Sequence, residues 1–130
     1  MSTTTAPYDG PEGLWNADPI ELATALFRQA FAPLAASPLP EQRIDRLPDD
    51  LAALGGFALG MVRVRGQQPG AMLLQLALEC VLVWERAGIA ARESTGTNLN
   101  VVHVVVMLRM GVAVLASPDP EATVRQLLGR

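Results

Sequence analysis

Leu99-Asn100-Val101-Val102-His103-Val104-Val105-Val106-Met107-Leu108-Arg109-Met110-Gly111-Val112-Ala113-Val114-Leu115-Ala116 is the stretch on which the fold turns. From Val101 to Val106 every residue except His103 is β-branched. Such a run suits a buried strand, because branched side chains pack well on a pleated surface. The apolar run nevertheless continues to Ala116 without a turn signal, far past the length of an ordinary strand. Length therefore favours one helix over Leu99–Ala116, capped by Asn98, with a short strand in the Val101–Val106 run as the alternative.

Upstream, residues Ala90 to Gly96 are small and polar and read as a connection. Before them, Ala71 to Ala87 sets Met72, Leu73, Leu74, Leu76, Leu78, Val81, Leu82, Val83 and Trp84 around a thin polar stripe of Gln75, Glu79 and Arg86, and Gly88 stops the run. A helix so apolar is either the centre of a bundle or the seam of an association. Leu47-Pro48-Asp49-Asp50 starts an earlier helix with acidic residues in its first turn. That helix is expected to reach about Arg65, with close packing of a neighbour on Ala52, Gly56 and Gly60 explaining its glycines. Asp18-Pro19-Ile20-Glu21 combines a cap, a proline at the first position and a carboxylate three residues on, so a helix follows over Pro19–Ala32. Ser117-Pro118-Asp119-Pro120-Glu121 repeats the signal and begins a last helix, Pro120–Leu128. The reading is all-α: an irregular tail over residues 1–15, then a single domain over 16–130 built as a bundle of about five helices.

The inventory of reactive side chains is short, with one histidine, one cysteine and no lysine. This removes most routes to acid–base, nucleophilic or metal chemistry. A metal site needs three or four protein ligands and no second His or Cys is present, so neither metal nor cofactor is expected, and His103 reads as a buried, hydrogen-bonded core residue. Cys80, between Glu79 and Val81 in a mostly apolar helix with no basic residue nearby in sequence, reads as a packing thiol. Gly55, Gly56 and Gly60 form no phosphate loop without a lysine, and Gly96 with Asn98 reads as helix capping rather than an anion site. Met61, Met72, Met107 and Met110 read as core filling. If the third and fourth helices form an antiparallel hairpin, Glu79 lies level with Arg109, giving a buried ion pair. His103 sits roughly 120° around the helix from Arg109. Glu79, His103 and Arg109 are then the candidates for a small-ligand pocket or modest enzyme site between those helices.

Composition points elsewhere. The chain has 130 residues, is 50% hydrophobic and carries a formal charge of −3 with no basic block. The charge argues against nucleic acid, whose recognition rests on clustered Lys and Arg. Arg109, Asn100 and His103 interrupt the longest apolar run, so a membrane-embedded helical subunit is a disfavoured alternative. A lone cysteine and an amino end without leader character fit a cytoplasmic protein. Tyr8, Leu14 and Trp15 are wasteful on a free tail and are the candidate interface anchors. The sequence thus favours a non-catalytic helical interaction protein, a small accessory subunit or a homo-oligomer, whose partner is another protein or itself.

Overall fold

The computed structural model of the chain describes residues 7–34, 36–37, 40–58, 69–96 and 99–129. In chain order the elements are helices α1 (Gly10–Trp15) and α2 (Pro19–Phe31), strand β1 (Glu41–Arg43), helices α3 (Leu47–Gly55) and α4 (Pro69–Ala87), strands β2 (Ala90–Thr95) and β3 (Val102–Met107), and helices α5 (Arg109–Ala116) and α6 (Pro120–Leu128). The three strands form one antiparallel sheet in the order β1-β3-β2. The all-α expectation is therefore overturned: the fold is mixed, mostly helical, with a small sheet.

The reason lies in the deciding stretch, which divides in two. Its β-branched half is β3, and the segment read as a connection is its partner β2, in register from Ala90↔Met107 to Thr95↔Val102. Gly96, which directly follows β2, is at φ 108°, and a Cβ there would run into the carbonyl oxygen of Asn100. The strand ends without Gly or Pro. Leu108 alone, at φ −89° and ψ 170°, joins β3 to α5, and its N–H donates to the Ile89 carbonyl at 2.9 Å. A one-residue junction carries no punctuation, which is why the run looks like one long element. Across the sheet, β1 adds to the other side of β3 with Glu41↔Val106 and Arg43↔Val104.

Directly opposed residues in an antiparallel pair share a face. Ala90, Val105 and Met107 belong to the buried core, so their face of the sheet meets the helices, and Val102, Val104 and Val106 occupy the other face. On the helical side Trp84 of α4 is fully buried between elements, edge-on to Phe27 and Phe31 of α2 at ring-centroid distances of 5.4 and 5.8 Å. Its Nε1–H donates to the Ala23 carbonyl at 2.8 Å, so the one polar atom of a large apolar side chain is satisfied.

Helix α2 starts as its cap predicts, with Asp18 accepting from the Glu21 N–H at 3.0 Å. The same carboxylate accepts from Arg125 of α6 at 2.7 Å, joining the two helices. Helix α3 is shorter than expected. It ends at Gly55, with Gly56 in the left-handed conformation at φ 76° as its C-terminal cap, and residues 59–68, including Gly60, lie outside the described residues. Gly55 is crowded for another reason, since a Cβ there would meet Phe57 Cε1 at 2.7 Å and Leu14 Cδ1 at 3.0 Å. Part of the expected tail is ordered as α1, which Leu14 holds down by complete burial.

Candidate interaction surface

Helix α4 explains why its sequence is apolar nearly all round. One half of its circumference, Leu73, Leu76, Ala77, Cys80, Val81, Trp84 and Ala87, is buried against the other elements. The opposite half faces water, and there Leu74, Leu78 and Leu82, spaced four residues apart, remain 38–44% exposed. Three leucines at that spacing form a continuous ridge along one helix face. Gln75, Glu79 and Arg86 flank it and are exposed. Glu85, also on this helix, is engaged by Arg92 of β2 at 3.0 Å. The flanks of the ridge therefore carry one carboxylate and one guanidinium, and their formal charges cancel.

Of the amino-terminal candidates, Leu14 is a core residue and Tyr8 is half-buried. The Tyr8 N–H donates to the Leu54 carbonyl at 3.0 Å and its hydroxyl to Glu21 Oε1 at 3.1 Å. Trp15 is different: it is 49% exposed and shares a narrow cleft with Ala17, Pro19, Leu22, Leu76, Glu79 and Cys80. Glu79 is thus exposed beside Trp15, on the flank of the leucine ridge. A second apolar set, Leu108, Met110 and Val112, is exposed around the start of α5, and Leu99 is 93% exposed between β2 and β3.

The three residues proposed for a ligand pocket are placed apart. The pocket was to lie between two helices, and residues 102–107 are strand. His103 lies at the far end of β3, exposed rather than buried, with Nδ1 3.1 Å from the hydroxyl of Ser94 on β2. It shares parity with core residues Val105 and Met107 but, unlike them, is exposed. His103 and Ser94 line a shallow hollow with Ile44, Arg92 and Glu93. Ser94 was missed by sequence reasoning, and its only signal was mirror symmetry with His103 about the turn. Arg109 is the exposed first residue of α5. Met107 is core, Met72 packs against the core and Met110 is exposed, whereas Met61 and Asn98 lie outside the described residues.

A polar hollow of about 400 Å³ lies between β1 and α3, lined by Gln42, Arg43, Arg46, Asp49 and Asp50. Partial burial, and then the neighbouring Asp49, raise the Asp50 carboxyl above the usual carboxylate range, and its Oδ2 is buried without a hydrogen-bond partner. Arg43 is committed to Asp45 at 2.6 Å. Among the described residues no group of three or more His, Cys, Asp or Glu side chains gathers as a metal site, and no helix is long and apolar enough to cross a membrane.

Cys80 is buried, and burial pushes its thiol up to about 12, with Glu79 adding to the shift. The native thiol holds its proton where the unfolded thiol, near pH 9, has already lost it. The native state then binds more protons than the unfolded state, and stability falls as pH rises from about 9 towards 12, with a slope approaching about 1.4 kcal/mol per pH unit. The Tyr8 hydroxyl, raised by burial and by Glu21, adds to the loss above pH 10. Urea unfolding between pH 8 and 11 should show this decline, and Cys80→Ala should flatten its first part. Equal slopes in the two proteins would refute the assignment.

Comparison of the chain with protein-family models, with curated proteins and with solved structures found no match.

Proposed function

We propose that the protein is a non-catalytic interaction module, and that the leucine ridge of α4 pairs with a second copy of the chain. The observation that carries this reading is the exposure of Leu74, Leu78 and Leu82 on one face of a helix whose other half is fully packed. Ridges of residues four apart interdigitate with one another at a crossing angle near −50°, the commonest helix packing class, so this face is shaped to accept its own copy. A two-fold axis through Leu78 sets Leu78 against itself and Leu74 against Leu82, an isologous contact that closes on two copies. The chain carries −3 overall, yet Glu79 and Arg86 balance beside the ridge, so two copies meet there without net repulsion.

Sedimentation at low and high micromolar concentration tests this reading. The native chain is expected to be a dimer, and Leu78→Glu to weaken pairing at least about 100-fold, because the contact would desolvate a carboxylate. The variant should keep its helical circular dichroism, since position 78 faces water in the single chain. A native chain that stays monomeric throughout, or a Leu78→Glu chain that still pairs, overturns the proposal. A different protein captured by an otherwise monomeric chain would count against self-pairing.

A further inference from the structure

The backbone of β2 presents a second surface, independent of α4. The Leu108 N–H donates to the Ile89 carbonyl, and the Met107 N–H donates to the Pro40 carbonyl, both at 2.9 Å. Backbone groups in an antiparallel ladder alternate in direction. Val104 and Val106 therefore turn their N–H and C=O groups towards β2, and Val105 and Met107 turn theirs towards β1. It follows from the register that Ala91, Glu93 and Thr95 of β2 bond to β3, while Ala90, Arg92 and Ser94 direct their backbone groups away from the sheet. Among the described residues no strand lies on that side. The Ser94 N–H is instead taken by the side chain of its neighbour, donating to Glu93 Oε1 at 3.3 Å, a long bond to an exposed carboxylate.

We propose that this edge receives an extended peptide of a partner protein as a fourth, antiparallel strand, and that the peptide carries a basic residue opposite Glu93. A peptide carbonyl can replace the Glu93 carboxylate on the Ser94 N–H, and the released carboxylate is then free to pair with a cation. Glu93 occupies a non-hydrogen-bonded position towards the incoming strand, where opposed side chains approach most closely. Ala91, two residues away on the same face, leaves room for a β-branched side chain beside Val104 and Val106. The edge is preorganised, because β3 pairs along its whole length and the Glu85–Arg92 ion pair fixes it to α4.

A second copy of β2 fits this edge poorly. Two-fold pairing of antiparallel strands puts some residue opposite its own copy. The two registers that overlap most of β2 put Arg92 against Arg92 or Glu93 against Glu93, and directly opposed like charges destabilise a sheet.

The probe is the capped peptide acetyl-Thr-Val-Thr-Arg-Thr-Val-Thr-amide, compared with the same peptide carrying Glu at its centre. On titration, amide hydrogen exchange should slow at Arg92 and Ser94, with the basic peptide binding about tenfold tighter than the acidic one. Glu93→Arg should reverse that preference. Ser94→Pro removes an N–H that the β3 ladder does not use, so hairpin and fold should persist while the basic peptide binds about tenfold more weakly. Leu78→Glu should leave all of this unchanged, which separates the edge from the α4 contact. Absence of protection at Arg92 and Ser94 at millimolar peptide, or a charge preference that Glu93→Arg does not alter, overturns the proposal.

Discussion

Trp84→Ala should lower the free energy of unfolding by about 3–5 kcal/mol, a large fraction of the about 5–15 kcal/mol that holds an ordinary domain folded. Trp84 is the largest fully buried side chain and touches both phenyl rings of α2, so truncation leaves a cavity where three aromatic rings meet. Neighbouring atoms cannot easily close such a void, because Phe27 and Phe31 are already fixed against each other at 5.0 Å. Trp84→Phe should be milder, about 1–2 kcal/mol, since a ring remains and the main loss is the hydrogen bond to the Ala23 carbonyl. Urea denaturation followed by far-ultraviolet circular dichroism measures both. If the alanine variant lost no more than the phenylalanine one, the aromatic cluster would not be the centre of the core.

Gly111→Ala should destabilise the protein by about 2 kcal/mol, although alanine is the better helix former by up to about 1 kcal/mol. A Cβ at residue 111 would lie 2.5 Å from the Ile89 carbonyl oxygen, 2.7 Å from Met107 Cγ and 2.8 Å from Phe27 Cζ. The first of these is backbone, and it accepts the Leu108 N–H at the strand–helix junction, so it cannot yield without breaking that bond. Gly13→Ala is the matched control, because a Cβ there meets nothing closer than 3.6 Å and the substitution should be neutral or stabilising. Thermal unfolding of the pair compares crowding with propensity directly. A stabilised Gly111→Ala protein would show that α5 does not pack on the Ile89 carbonyl as described.

Gly111 also shows where the sequence stopped being legible. Helices that begin with a cap and a proline were readable because their signals are local: Asp18-Pro19 and Asp119-Pro120 fix the starts of α2 and α6 by hydrogen bonds within three residues. The sheet depends on pairing between distant segments. Nothing within Ala90–Thr95 states that Val102–Met107 lies beside it, and nothing in Glu41–Arg43, a polar triplet in a connector that follows two prolines, announces a strand. Glycine at 111 reads as ordinary helix tolerance until the Ile89 carbonyl is brought against it. The candidate residues divide similarly. The aromatic and apolar character of Tyr8, Leu14 and Trp15 predicted docking, but only burial separates Leu14, sunk in the core, from Trp15, half in water. The apolarity of α4 was visible, whereas the leucines left uncovered depend on which half of the helix the other elements occupy.

The central position of β3 has a consequence for how the molecule is made. Its two neighbours lie at very different distances along the chain: Thr95 of β2 pairs with Val102, seven residues on, but β1 pairs Arg43 with Val104. The hairpin can close within microseconds, whereas the third strand must wait for a large loop to be searched, and such long-range pairings slow folding. On a ribosome the Glu41–Arg43 triplet emerges well before the strand it needs, and until the two meet the newly formed hairpin leaves the backbone of β3 unpaired on one side.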